Sequence, residues 1–315
     1  MRLEPLWSGQ RAGGVNYLAN GVACRADADA EVILAAGAVN SPKLLELSGI
    51  GDGEVLGRHG IETRHVLPGV GRNLQDHLQI RTVYRVSGAR TLNTIVNSVT
   101  GKAAMSLEYM LFGSGPMSMA PSQLGIFSRS DASVATADLE YHVQPLSTDK
   151  LGDPLHRFPA VTVSVCNLRP QSRGTCHIRS RDPAEQPAIK LNYLSAERDR
   201  DVALKAVKQA RRLVATEALR RYAPQELLPG SAVVDDDSLM AAIGNIATTI
   251  FHPVGTCRMG QDQLAVVDDQ LRVRGLAGLR IVDASVMPTI PSGNTASPVV
   301  MIAERAADLI RAAAR

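Results

Sequence analysis

Residues 279–288 of the chain read LRIVDASVMP, and residues 292–298 read SGNTASP. The largely apolar run at the start of the first stretch predicts a short β-strand. Strands of open α/β sheets present ligand-contacting residues at their carboxyl ends, which is where Asp283 follows. Ser297 and Pro298 predict the N-cap and the first residue of a terminal helix. The stretch therefore predicts an α/β fold with a site at this edge of the sheet.

Two further residues extend the predicted site. Residues 251–260 read FHPVGTCRMG and set His252 beside proline and glycine, while Asn294 lies just before the predicted helix. A helix N-terminus carries about half a positive charge and free N–H groups, which suits a ligand that becomes negative during a reaction. We interpret His252, Asp283 and Asn294 as parts of one active site. From the residues alone, turn roles for His252 and Asn294 remain open.

These stretches resemble the C-terminal signature of the glucose-methanol-choline (GMC) family of FAD-dependent alcohol oxidoreductases, most closely its choline-dehydrogenase-like members. Residues 37–51, GAVNSPKLLELSGIG, resemble the second signature of the family, and residues 67–77, LPGVGRNLQDH, match as well. The resemblance implies a mixed α/β fold: a partial FAD-binding, Rossmann-like domain and a substrate domain built on an antiparallel sheet with flanking helices.

The residue pattern that predicts secondary structure changes at about residue 77, and we divide the chain into three segments. We expect residues 1–76 to belong to the partial FAD-binding domain, residues 77–250 to form the substrate-binding domain, and residues 251–315 to return to the FAD-binding domain with the catalytic residues. In the middle segment, alternating and β-branched residues predict an antiparallel sheet. The predicted strands are 80–86, 139–143, 160–165, 174–178 and 188–193, and the predicted helices are 102–112, 196–216 and 238–245.

In the first segment, local signals predict a hairpin and a strand-turn-helix unit. Asn20 and Gly21 form a strong hairpin signal between strands at 11–18 and 22–25. The apolar run 31–36 predicts a buried parallel strand, after which Ser41 and Pro42 open a helix that stops at Ser48 and Gly49.

The resemblance also implies the chemistry. Oxidising an alcohol with a flavin requires removal of the hydroxyl proton and transfer of the carbon-bound hydrogen to flavin N5 as hydride. Histidine has an unperturbed pKa of about 6.5 and can accept that proton. The resemblance assigns this role to His252, and hydrogen bonding of the substrate oxygen to Asn294. It further implies FAD contacts by Ala36, Gly37, Phe251, Asp283, Ala284, Asn294, Thr295 and Ala296. Spacing alone makes Gly37 a tight strand-to-helix turn.

One feature departs from the family. Its members begin with a strand, a G-x-G-x-x-G turn and a helix, and no G-x-G-x-x-G occurs among these 315 residues. Residues 1–5 resemble the middle of the family's sequence, so we expect the C-terminal part of a longer enzyme that binds FAD weakly when isolated. The alternative is a non-catalytic remnant or binding module that has lost FAD binding.

Composition excludes several other classes. A net charge of +3 without a dense basic tract argues against a nucleic-acid partner, and the chain lacks the roughly 18 uninterrupted apolar residues of a membrane span. We expect a cytoplasmic enzyme acting on a small alcohol, with oxygen and a quinone-like molecule both open as electron acceptors. Asn73, Asp76 and His77 lack a further ligand at useful spacing, so they predict a polar turn and no metal site.

Two alternatives concern sulfur-containing residues. Cys257 beside His252 raises the possibility of a thiol enzyme, but only the adjacent Arg258 would supply electropositive activation. A run of methionines around the predicted helix 102–112 is consistent with a substrate pocket or with ordinary packing. Its members are Met105, Met110, Met117 and Met119.

Overall fold

The computed structural model describes residues 4–120, 122–150 and 152–313. The strands, in chain order, are β1 Glu4–Ser8, β2 Arg11–Ala19, β3 Val22–Asp27, β4 Val32–Leu34, β5 Ile50–Gly51, β6 His65–Val66, β7 Leu78–Arg85, β8 Leu124–Ser128, β9 Leu139–Gln144, β10 Ala160–Asn167, β11 Thr175–His177, β12 Ala188–Lys190, β13 Gln225–Leu228, β14 Ala247–Thr249 and β15 Leu279–Ile281. The helices are α1 Gly37–Leu47, α2 Gly53–Arg58, α3 Leu92–Val96, α4 Val99–Phe112, α5 Glu197–Val214, α6 Glu217–Arg220, α7 Asp236–Ile246 and α8 Ala296–Ala313.

The chain divides into two compact units. The first comprises Met1–Asp76, Pro170–Ser195 and Phe251–Arg315, and the second comprises His77–Arg169 and Ala196–Ile250. Residues 170–195, which the sequence placed in the middle domain, are held in the first unit by Glu46 of α1. The buried Glu46 carboxylate contacts Nδ1 of His177 at 2.6 Å and accepts the Ile178 N–H at 2.8 Å.

The first unit contains the predicted hairpin. β2 and β3 pair antiparallel, and their turn residues Asn20 and Gly21 have φ angles of 51° and 81°. Two consecutive left-handed residues give the turn type whose twist matches that of the flanking strands, so the hairpin prediction is confirmed.

The predicted strands on either side of the candidate site also form and pair with each other. β4 and β15 run parallel, with Val32 opposite Leu279 and Leu34 opposite Ile281. These four side chains are buried in the main apolar cluster of the unit. Burial of such a side chain contributes about 1.5–3 kcal/mol, so this pairing anchors the carboxyl ends of both strands.

The predicted start of α1 is wrong, because the helix begins at Gly37 and contains Pro42. Proline lacks an N–H, so the carbonyl of Ala38, four residues earlier, loses its intrahelical donor. The buried Thr256 hydroxyl donates to that carbonyl at 2.6 Å. A tertiary contact therefore supports the first turn of the helix, which the local Ser-Pro signal did not predict. The terminal helix α8 likewise begins at Ala296, two residues before Pro298, whose missing N–H is harmless in the first turn.

The second unit is built on a six-stranded antiparallel sheet. Its strand order is β13-β7-β10-β9-β8, and β14 also pairs with β7. The buried face of α5 packs against β10, and the Tyr141 hydroxyl donates to the carbonyl of Ala206 on that helix at 3.0 Å. The predicted strands 80–86, 139–143 and 160–165 lie in this sheet. The expectation of one sheet is wrong for 174–178 and 188–193, since β11 and β12 form a separate pair in the first unit.

The methionine-containing helix of the second unit has no buried side chain. α4 ends at Gly113, whose φ of 61° gives a left-handed cap. Met110 is 81% exposed and Met117 is 49% exposed, so these two side chains are not part of a packed core. Within the described part of the chain, no helix combines the length and the apolar character needed to cross a bilayer.

Candidate active site

A bend in the main chain sets the direction of His252. Phe251, the residue before it, has a φ of 64°, a left-handed conformation that costs a non-glycine residue about 1–3 kcal/mol. The Phe251 side chain is 67% exposed, whereas His252 is only 9% exposed. The bend thus turns the phenyl ring outward and the imidazole into the protein.

The structure brings His252 and Asn294 together across 42 residues of sequence. Nδ2 of Asn294 lies 3.4 Å from Nε2 of His252. An amide nitrogen only donates hydrogen bonds, so Nε2 of His252 accepts in this contact when the imidazole carries its proton on Nδ1. Nε2 is then the atom able to accept a proton.

Residues 73–75 tie both catalytic candidates to the same segment. The main chain of Gln75 exchanges two hydrogen bonds with Val254, at 3.0 and 2.9 Å. The Gln75 side chain donates to the carbonyl of Pro288 at 3.1 Å and accepts the N–H of Ile290 at 3.2 Å. The segment after His252 and the segment before Asn294 are therefore fixed relative to each other by one glutamine.

Close packing continues at the glycine of the histidine segment. Gly255 has a φ of 90°, and a β-carbon there would lie 2.7 Å from the carbonyl oxygen of Asn73. Any larger residue would be strained and would push the two segments apart. Among the described residues, no group of three or more His, Cys, Asp or Glu side chains is arranged to hold a metal ion.

Asp283 links the end of β15 to the start of α1. Its Oδ2 accepts the Gly37 N–H at 2.9 Å and the Ser41 hydroxyl at 2.5 Å, and its Oδ1 accepts the Ser285 N–H at 2.8 Å. The carboxylate is 95% buried, with 5% exposure. The side chain predicted to contact FAD thus orders the turn that carries Gly37.

Open space lies above that turn. Gly37 has a φ of 80°, and a β-carbon built on it would meet no atom within 4 Å. Ala36 beside it is exposed, and it also lines a cleft of about 400 Å³ along β4. Ala36, with its small side chain, and Gly37 therefore form an open surface, here called the shelf, that has room for the close approach of a cofactor. The two interpretations of Gly37, a tight strand-to-helix turn and room for a closely approaching cofactor, are therefore compatible with the same geometry.

The other residues assigned to the cofactor occupy two positions. Asn294 and Ala296 are exposed and Thr295 is half-buried, at the start of α8, whose first turn carries no acidic residue. Ala284 is half-buried, and its carbonyl accepts the N–H of Gly255 at 3.2 Å. The start of α8 is thus open to a ligand, whereas Ala284 joins two segments of the site.

The structure is inconsistent with Cys257 as a nucleophile. Its side chain is fully buried, and burial raises the pKa of the thiol well above its usual value, with the Asp283 carboxylate adding to the effect. The reactive form of cysteine is the thiolate, which this environment disfavours. Arg258 is engaged with Asp262 at 2.8 Å.

A serine–histidine–aspartate contact in the second unit was not predicted from the sequence. Ser147 Oγ lies 2.8 Å from Nδ1 of His156, and Nε2 of His156 lies 3.0 Å from Asp149. Ser147 is fully buried, and its oxygen also accepts from Asn93 at 2.9 Å. A nucleophile must reach its substrate, so this contact is structural.

Comparisons with known proteins identify the family that the chain resembles. Residues 6–79 and 170–303 match the N-terminal and C-terminal domains described as GMC oxidoreductase. The chain is 39% identical over 308 residues to an oxygen-dependent choline dehydrogenase of Stenotrophomonas maltophilia, covering 97% of this chain and 55% of that protein. It is 41% identical to the mitochondrial choline dehydrogenase of Homo sapiens, covering 97% of this chain and 52% of the relative.

The fold has a counterpart among solved structures. A formate oxidase of Aspergillus oryzae, studied for modification of its FAD, superimposes with a TM-score of 0.91 at 29% identity, covering 99% of this chain and 59% of that one. The chain thus spans about half the length of the curated relatives it matches.

Proposed function

The chain belongs to the GMC oxidoreductase family, and from this premise we propose that it carries the catalytic residues for FAD-dependent oxidation of an alcohol to a carbonyl compound. The observation that supports this most directly is the 3.4 Å contact between Asn294 Nδ2 and His252 Nε2. A base and a hydrogen-bond donor meet there, which are the two groups that removal of a hydroxyl proton requires. The substrate we propose is a small, choline-like alcohol, by analogy with the named relatives.

His252 is the proton acceptor in this proposal. In this proposal its Nε2 accepts the hydrogen bond of the Asn294 amide, and its ring is largely shielded from water, with 9% exposure. A positioned general base contributes about 10²–10⁴ to the rate of such a step. The Asn294 amide then donates to the substrate oxygen, holding the hydroxyl group beside the imidazole.

FAD, when bound, supplies the hydride acceptor at flavin N5. The residues we propose to hold it are Ala36 and Gly37 on the open shelf, Phe251 beside the base, and the main chain at Thr295 and Ala296. The N-terminus of α8 favours nearby negative charge. Since the Asp283 carboxylate is committed to Gly37, Ser41 and Ser285, its proposed contact and that of Ala284 run through the main chain.

The alternative function, a non-catalytic remnant, receives no support from these residues. The His252–Asn294 contact and the clearance at Gly37 serve no evident purpose in a binding module without the cofactor. We also propose a cytoplasmic location, in keeping with the reduced, buried thiols of Cys176 and Cys257. Cell fractionation would test the location.

The test of function is anaerobic mixing of the protein, supplied with excess FAD, with choline and a series of primary alcohols. Bleaching of the flavin absorbance that requires both alcohol and protein is the expected result. Readmission of oxygen or of a quinone analogue then identifies the electron acceptor. Flavin that binds but is not reduced by any alcohol of the series would contradict the proposal.

A further inference from the structure

We propose that Asp76 is a positioning residue for His252, and that Tyr193 holds Asp76 in place for that task. The proposal rests on the proposed function above, since it concerns the same histidine. Asp76 lies 176 residues before His252, and the sequence predicts only a polar turn for it.

The contacts are direct. Oδ1 of Asp76 accepts the main-chain N–H of His252 at 2.8 Å, and Oδ2 accepts a hydrogen bond from the Tyr193 hydroxyl. Asp76 is 3% exposed. Hydrogen bonds to an ionised acceptor are shorter and about twice as strong as those between neutral groups, so the carboxylate is a firm anchor.

The bend at Phe251 explains why an anchor is needed there. The left-handed φ of 64° turns the His252 N–H into the protein, where a donor without a partner is costly. Asp76 supplies that partner. Two residues further on, the paired hydrogen bonds between Gln75 and Val254 hold the chain again. The main chain of His252 is thus fixed on both sides, and only the side-chain torsions remain to set the position of Nε2.

Position matters because the base acts only within hydrogen-bond reach of the proton. A displacement of about 1 Å in a reacting group lowers a rate by about 10²-fold. Loss of the anchor would let the Phe251 bend relax toward the ordinary backbone region. The imidazole would then move relative to Asn294, while the alcohol and flavin contacts elsewhere persist.

Three variants separate positioning from general stability. Asp76→Ala removes both contacts, Asp76→Asn keeps the shape and one carbonyl oxygen, and Tyr193→Phe removes only the hydroxyl. The matched control is Glu46→Gln. Glu46 is also a fully buried carboxylate that accepts a main-chain N–H, that of Ile178, but it contacts neither His252 nor Asn294.

The first measurement needs no cofactor. The imidazole of His252, labelled with ¹³C and ¹⁵N and assigned by its loss in His252→Ala, is followed by NMR as pH is changed. We expect Asp76→Ala and Tyr193→Phe to shift its resonances and its titration midpoint, with a smaller change in Asp76→Asn and none in Glu46→Gln. An unchanged His252 signal in folded Tyr193→Phe and Asp76→Asn protein overturns the proposal, even if Asp76→Ala does not fold.

The second measurement uses the FAD-loaded protein. We expect Asp76→Ala, or Tyr193→Phe where that variant alone folds, to slow flavin reduction by about 10–10²-fold with the apparent alcohol affinity unchanged. A loss of affinity with an unchanged limiting rate overturns the positioning role. The proposed function and the positioning role of Asp76 can fail independently. Normal bleaching by His252→Ala would remove the histidine from catalysis. The NMR measurement tests the positioning role of Asp76 without requiring any turnover.

Discussion

The contact between Thr256 and α1 can be tested by a double-mutant cycle. Thr256 is fully buried, and its hydroxyl donates at 2.6 Å to the Ala38 carbonyl that Pro42 leaves without a helical donor. Thr256→Val keeps the shape and removes the donor. A buried carbonyl left unsatisfied costs about 1–3 kcal/mol, so we expect the free energy of unfolding to fall by that amount.

The second half of the cycle uses Pro42→Ala. Alanine restores an N–H four residues after Ala38, which can donate to the same carbonyl within the helix. In that background Thr256→Val should cost about 0.5 kcal/mol or less, which gives a coupling energy of about 0.5 kcal/mol or more. Urea unfolding of the four proteins, followed by circular dichroism, measures both values. An equal cost of Thr256→Val in the two backgrounds would refute the reasoning.

Three further predictions follow from the site and its surroundings. In a full-length, FAD-binding context, Gly37→Val should lower the flavin content more than the alcohol affinity, because the residue has a φ of 80° and faces open space; unchanged flavin absorbance per protein would make Gly37 an ordinary turn residue. Cys257 should resist iodoacetamide at pH 8 in the folded protein, since burial raises the pKa of its thiol, while the half-buried Cys24 reacts first; mass spectrometry showing equal labelling would contradict the burial. The hydrogen bond from Arg258 lowers the pKa of Asp262 to about 2, so this carboxylate stabilises the fold above its unfolded pKa of about 3.9 and loses that effect as pH falls through about 2. The difference in melting temperature between wild type and Asp262→Asn should accordingly shrink below about pH 4. A difference that grows on acidification would contradict this predicted pH dependence.

Local signals in the sequence identified most elements whose neighbours are close in the chain. Asn20 and Gly21 specify their hairpin by backbone conformation alone. The apolar stripe of α5 specifies its buried face by helical spacing, and the structure places that helix at Glu197–Val214. These elements were predictable because the residues that decide them lie within one or two turns of each other.

Elements that depend on distant partners were predicted less well. Ser41 and Pro42 resemble a helix start, but Asp283 and Thr256 satisfy the groups that an earlier start leaves open, so α1 begins at Gly37. Strand propensity located β11 and β12 correctly but does not specify a sheet, because pairing partners are chosen by tertiary packing. The residues of the site were named through resemblance, whereas the role of Asp76 depends on a contact that no spacing in the sequence reveals.

In the proposed mechanism, His252 accepts the substrate proton beside Asn294. The most direct test uses a complete, FAD-loaded version of the enzyme and measures the rate of flavin bleaching after anaerobic mixing of an accepted alcohol with wild type, His252→Ala and Asn294→Ala. We predict that His252→Ala retains its flavin and bleaches about 10²–10⁴-fold more slowly, with a smaller loss for Asn294→Ala. Near-wild-type bleaching by His252→Ala, or loss of the flavin instead of the rate, would contradict it.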